Sequence, residues 1–311
     1  MSAVLPQIPA RAASSASQLA MAYSVCRGIT QRRAKNFYYA FLVLPRHKRQ
    51  ALCAVYAFMR KCDDLADDSG MPPRERREKL NAWLQSFHRA LAGDPTDDPI
   101  LLALTDAQHR FNIQVGWLDQ LAYGTEMDVM PSETTADAAG LMVSYRTFEE
   151  LRVYCYRVAS VVGLVCIRIF GYHDPAAETL AERCGLAFQL TNIIRDVKED
   201  AVMGRVYLPQ EDLARFRVSA SELASAAAPA RFRPLLAMEA ERASEQYRAG
   251  EELISYIDED SQPALWVLLT IYERLLEKIA GRDFDVFHGK ISLTMREKLM
   301  ILGRGFLKRL T

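Results

Sequence analysis

Apolar residues recur along this chain at steps of three and four almost throughout, and no series of alternating strands with turn signals interrupts them. The pattern predicts an all-α protein with helices around 15–28, 46–68 and 74–91, one after Asp97, and one ending near Gly124 to Asp128. A long apolar helix is expected from Thr147 to Gly171, then others over 174–200, 229–257, 262–280 and 292–309. Pro45 suits a helix start, and Ser69-Gly70-Met71-Pro72-Pro73 is a turn-rich break. Pro131 to Gly140 reads as a polar surface loop, and Met203 to Pro209 as a short non-helical segment. Nothing suggests a second domain. Residues 1–17 read as an Ala/Ser/Pro-rich flexible tail and 18–311 as one helical domain.

Two helices carry a polar stripe on an otherwise apolar surface. In the 46–68 helix, Tyr56, Arg60, Asp63 and Asp67 follow one another at steps of four, three and four, so they share a face, and Asp64 and Asp68 enlarge the acidic cluster. In the 174–200 helix, Gln189, Asn192, Asp196 and Asp200 recur at steps of three, four and four among Leu186, Phe188, Leu190, Ile193 and Ile194, with Arg195 alongside. Carboxylates brought face to face repel; at an effective dielectric of about 20, two unit charges about 4 Å apart cost roughly 4 kcal/mol. A cation between the stripes removes that cost. Oxygen donors without His or Cys favour a hard ion, and Mg2+ binds through one or two carboxylates while leaving places for water and substrate phosphate. The implied ligand is a phosphorylated substrate. The plainer alternative is a pair of solvated acidic helix ends, which two in-phase clusters, each with its own arginine, argue against.

Composition narrows the field. Half of the 311 residues are hydrophobic, enough for a sizeable core, and 39 basic residues balance 39 acidic ones. No global field recruits nucleic acid or an anionic membrane. Six cysteines (Cys26, Cys53, Cys62, Cys155, Cys166, Cys184) lie scattered in apolar helices, without C-x-x-C or zinc-ligand spacing, and read as reduced buried thiols. The N-terminus lacks the pattern of a signal peptide, and the apolar run from Val158 to Tyr172 is interrupted by Arg168, so a cytoplasmic protein is expected. Phosphate-binding glycine loops, H-E-x-x-H and G-x-S-x-G are all absent, and the five histidines are isolated.

Three stretches leave alternatives open. Small residues at 159, 160 and 163 suit either close helix packing or a substrate wall. The Met203–Pro209 segment is either an ordinary loop anchored by Tyr207 or a flap that brings Arg205 and Tyr207 over the site. In the last helix, Lys298, Arg304, Lys308 and Arg309 beside Leu299, Leu302, Phe306 and Leu310 suit either packing on the core or peripheral contact with the inner face of a membrane.

Taken in order, "FYYAFLVLP", "AVYAFMRKCDDLADD", "YCYRVASVVGLVCIRIFG" and "QLTNIIRDVKEDAVMGRVYLP" resemble the squalene and phytoene synthases, which join two prenyl diphosphates head to head. The resemblance spans nearly the whole chain after the tail. It implies one isoprenoid-synthase domain around a deep apolar cavity, with Mg2+, or Mn2+ in its place, at Asp63, Asp64, Asp67, Asn192, Asp196 and Asp200. Lys35, Asn36, Tyr56, Arg60, Gln189, Arg195 and Arg205 match positions that contact the diphosphate or close over it. Phe37, Tyr154, Val158, Ala159, Val162 and Tyr272 would line the chain pocket.

Two departures bear on substrate. Ser160 stands where many phytoene synthases have glycine, and V-A-S-x-V-G looks more like bacterial presqualene-diphosphate synthases; Lys290 replaces a frequent arginine. The expected reaction is condensation of two farnesyl diphosphates to presqualene diphosphate, with NADPH needed only if it continues to squalene. The alternatives are phytoene synthesis from geranylgeranyl diphosphate and, in another class, a non-catalytic helical scaffold.

Overall fold

The computed structural model describes residues 10–66, 68, 70–129, 143–224 and 230–310. The expected all-α architecture is what forms. Helices Arg46–Ala66, Pro73–Leu91, Pro99–Phe111 and Val115–Val129 make one half; Ala176–Val202, Phe232–Leu253, Gln262–Ala280 and Met295–Leu310 make the other. Local chemistry sets several ends. Asp98 caps the Pro99 helix, accepting from the Ile100 and Leu101 amides at 2.8 and 3.2 Å, and Thr147 caps the next long segment through the Glu150 amide. Asn112, left-handed at φ 49°, ends the Pro99 helix.

Residues Phe148–Phe170 form one continuous helical run whose middle turn, Tyr156–Ser160, widens to π geometry. This run is long and apolar enough to span a membrane, contrary to the expectation that Arg168 breaks it, and half of it is buried inside the protein. It crosses Ala176–Val202 at two glycines. A Cβ on Gly185 would lie 2.6 Å from Ala159 O and from Ser160 Cα, and one on Gly163 would lie 2.7 Å from Ala181 O. Ser160 reinforces the crossing by donating to Glu182 O at 2.7 Å. On the far side, Phe232–Leu253 packs along Ala176–Val202, and the Thr191 and Tyr247 hydroxyls pair at 2.7 Å, both buried.

The differences from expectation are local. The first helix runs Ala10–Arg33, so its alanine-rich start extends into the expected tail; residues 1–9 lie outside the described residues, as does the expected Pro131–Gly140 loop. Lys35–Phe41, Gln210–Arg215 and Ala220–Leu223 are additional short helices. The segment after Met203 is tied down: Arg205–Val206 pairs in parallel with Val143–Ser144.

Candidate functional site

The helices enclose a cleft of about 1010 Å³ including its open mouth. Its walls come from Arg46–Ala66 (Leu52, Val55, Tyr56, Met59), the π turn (Val158, Ala159), the Val161–Phe170 helix (Val162, Ile167, Phe170), Ala176–Val202 (Ala181, Gly185, Phe188, Gln189, Asn192) and Gln262–Ala280 (Leu265, Leu268, Tyr272). Phe37 and Phe41 close one side, with Phe37 6.0 Å from the Tyr272 ring and Phe188 stacked on Tyr272 at 4.4 Å. Of the expected lining residues, Phe37, Val158, Ala159, Val162 and Tyr272 are brought together here, with Tyr56 and Gln189. The small residues near 160 therefore serve both as close packing and as wall.

Polarity is confined to one end. Tyr56 and Asn192 line the cleft, and one turn beyond them along their own helices stand Arg60 with Asp63 and Asp64, and Arg195 with Asp196. Arg60 bonds Asp64 and lies 3.9 Å from an Asp63 oxygen, while its own Nε is buried without a hydrogen-bond partner. Arg195 grips Asp196 with both Nε (2.7 Å to Oδ1) and a terminal nitrogen. Burial alone would lower the Arg195 pKa, but the bonds and charge of Asp196 outweigh it and raise it. Burial raises the Tyr272 pKa, against the pull of Arg195 and a hydrogen bond with Asn192. Lys290 stands at the rim, 3.7 Å from Asp196 Oδ1 and 2.7 Å from Glu199 Oε2, so the position that departs from the family pattern still brings a cation to the second stripe.

Two expected placements differ. Tyr154 does not line the cleft; it stacks on Tyr207 at 5.0 Å, with Tyr145 at 5.5 Å, behind the wall. Arg205 and Tyr207 border a separate small cavity with Asp200, Ile193 and Val197. The segment is thus an anchored strand beside Asp200. Lys35 and Asn36 occupy the first turn of the Lys35–Phe41 helix, but their side chains, like the whole of Asp67, lie outside the described residues.

The donor set suits a hard cation, being all oxygen. Among the described residues, no three His, Cys, Asp or Glu side chains converge as a metal cage, since Asp64 and Asp196 are turned onto the arginines of their own helices. That still fits Mg2+, which needs only one or two carboxylates and takes the rest from water and phosphate.

An apolar cleft, mostly aliphatic with several aromatic rings in its wall and charged groups gathered at one end, suits an amphiphile with an anionic head and a greasy chain. The comparisons with known proteins agree. The squalene/phytoene synthase family profile matches residues 30–297. The 15-cis-phytoene synthase of Synechococcus elongatus is 34% identical, covering 96% of this chain and 97% of its own. The phytoene synthase of Mycobacterium tuberculosis is 36% identical, over 92% and 90%. Among solved structures, a dehydrosqualene synthase in complex with ligand superposes with a TM-score of 0.82 at 29% identity, over 94% of this chain and 97% of that one. Squalene synthase HpnC from Alicyclobacillus acidocaldarius gives 0.76 at 28%, over 86% and 96%. Fold and site define an all-helical prenyltransferase. The chain belongs to the squalene/phytoene synthase family, the head-to-head prenyl synthases.

Proposed function

We propose that the protein condenses two farnesyl diphosphates, with Mg2+, to presqualene diphosphate. The observation that carries the head-to-head reading is the cleft itself, apolar along its length with its charged groups, carboxylates and arginines together, gathered at the mouth. Asp63, Asp196 and Asn192 would hold Mg2+, with Asp64, Asp67 and Asp200 beside them. Bound there, the ion would neutralise charge on the diphosphate. Arg60, Arg195 and Lys290 bind the leaving diphosphate as the C1–O bond of one donor breaks. The apolar walls exclude water from the allylic cation, and the faces of Phe37, Phe188 and Tyr272 stabilise it. The second donor is held so that its C2–C3 double bond attacks C1; loss of a proton then closes a cyclopropane that still carries one diphosphate.

Farnesyl as the donor is supported by the V-A-S-x-V-G pattern around Ser160. A second reading, phytoene synthesis from two geranylgeranyl diphosphates, is favoured by the names of the relatives at 34 and 36% identity. In either case the enzyme works in the cytoplasm, with Met295, Leu299, Met300, Phe306 and Leu307, all exposed on the last helix beside Arg296 and Arg304, against the inner face of the membrane.

Incubating the protein with Mg2+ and each diphosphate separately, with and without NADPH, and identifying products by mass tests the reading. Presqualene diphosphate from the shorter donor supports it, and squalene formed only with NADPH would extend it. Phytoene from the longer donor alone would replace it.

A further inference from the structure

We propose that Lys48 is a positioning residue: its ammonium clamps together the three chain segments that close the far end of the cleft, and so sets the prenyl length the cleft accepts. The proposal rests on the prenyl-diphosphate reading above. Lys48 is 5% exposed, in the first turn of Arg46–Ala66. Its Nζ donates to Phe170 O and to Asp260 Oδ1, each at 2.6 Å, to Ser261 Oγ at 3.0 Å and to Asp258 Oδ2 at 3.1 Å. Three protons serve four acceptors, so the group is saturated and its direction fixed. Asp258 and Asp260 keep about half of their side-chain surface in water (53% and 43%), so one buried cation is balanced by two partly solvated anions.

The acceptors belong to two segments far from Lys48 and from each other in sequence. Phe170 ends the long apolar helix, and Asp258 to Ser261 lead into Gln262–Ala280. Main-chain bonds join the same segments, with the Asp258 amide donating to Gly171 O at 3.0 Å and the His173 amide to Tyr256 O at 3.3 Å around an antiparallel Tyr172–Ile257 bridge. Gly171 has φ 79°, and a Cβ there would run into the Asp258 carboxylate, so the close approach is built into the chain.

Each clamped segment contributes a lining residue directly above it. Leu52 is one turn on from Lys48, Phe170 is itself in the wall, and Leu265 is one turn on from Ser261; Leu253 completes this end. Along Arg46–Ala66 the order runs Lys48, Leu52, Tyr56, Met59, Asp63, so Lys48 stands about 22 Å from the acidic mouth at 1.5 Å per residue. Farnesyl and geranylgeranyl chains differ by one isoprene unit at the end remote from the diphosphate. With the head held at the mouth, that unit meets the floor that Lys48 ties down.

The test uses Lys48→Met and Lys48→Arg. Calorimetry measures binding of the C15 and C20 prenyl thiolodiphosphates and of inorganic diphosphate, and turnover of both prenyl diphosphates is followed in parallel. One methylene in an apolar pocket is worth about tenfold or more in discrimination. The expected result for Lys48→Met is therefore a C20-to-C15 affinity ratio raised about tenfold over wild type, with inorganic diphosphate binding unchanged and the ratio largely restored in Lys48→Arg. A ratio that stays at the wild-type value in Lys48→Met overturns the proposal, even if both affinities fall together. Should Lys48→Met not fold, the double variant Asp258→Asn, Asp260→Asn carries the same measurement and the same criterion. Binding of the thiolodiphosphates without turnover of either diphosphate by wild type would instead remove the condensation reading and leave the clamp measured.

Discussion

Gly185→Ala puts the helix crossing that forms the cleft wall to a quantitative test. The new methyl would lie 2.6 Å from both Ala159 O and Ser160 Cα and 2.8 Å from Ala159 C, all backbone atoms that cannot rotate aside. Relief requires the two helices to separate, and overpacking of this kind costs about 1–3 kcal/mol. Against it stands the intrinsic gain of alanine over glycine in a helix interior, about 0.5–1 kcal/mol. The net expectation is a loss of about 0–2.5 kcal/mol. Gly303, inside Met295–Leu310 and with nothing within 4 Å of an added Cβ, isolates the second term, so Gly303→Ala should stabilise by the full propensity gain. Urea denaturation of both variants and wild type gives the signs directly: the midpoint should fall for Gly185→Ala and rise for Gly303→Ala at unchanged slope. Because Ala159 and Val158 line the cleft, the first variant should also lose turnover. Equal stabilisation by the two substitutions would refute the close-packed crossing.

The site and its supports give further expectations. Arg195→Met leaves Asp196, in a partly buried position, with Lys290 as its remaining ion-pair partner among the described residues; a loss of about 100-fold in kcat/KM is expected from steady-state kinetics, with helix content unchanged by circular dichroism. Thr191→Val leaves the buried Tyr247 hydroxyl without its 2.7 Å partner and should cost about 1–3 kcal/mol in chemical denaturation. Tyr247→Phe should cost less on that score, since Thr191 keeps its bond to Ala187 O. Glu239 is buried, and burial chiefly raises its pKa from 4.5 to about 7, despite Arg242 beside it. A carboxyl raised in the folded state stabilises fully below its unfolded pKa and loses that contribution as pH climbs through the folded value. Glu239→Gln should therefore flatten the fall in stability between pH 4.5 and 7 by on the order of 3 kcal/mol, leaving the part due to Glu273, which is raised to about 7 chiefly by burial.

Sequence periodicity makes legible whatever lies within one helix. Tyr56, Arg60 and Asp63, and Gln189, Asn192 and Asp196, share faces because steps of three and four repeat the α-helical turn, and both sets lie at the cleft mouth or one turn from it. Leu52, Val55 and Met59 obey the same rule, since they neighbour Tyr56 on that surface, yet apolar residues on a core helix carry no chemical mark that singles them out. Tyr154 fails the rule for a local reason. The π turn over Tyr156–Ser160 winds more residues per turn, so the faces before and after it are re-phased, and Tyr154 meets Tyr207 while Val158 meets the cleft. The floor is out of reach of any such pattern, because Lys48, Phe170 and Asp258–Ser261 come together only through the packing of three distant segments. Neither does periodicity reveal the pairing of Arg195 with adjacent Asp196, since a side-chain rotamer decides it.

The central claim, that the charged mouth performs a head-to-head condensation, is tested most directly by mass analysis of product from wild type and from Asp63→Asn, Asp196→Asn, each given farnesyl and geranylgeranyl diphosphate with Mg2+. Wild type should yield the C30 cyclopropyl diphosphate from the shorter donor, and the double variant, with its thermal unfolding intact, should yield no condensed product. Undiminished condensation by the variant, or none by folded wild type from either donor, would contradict the account.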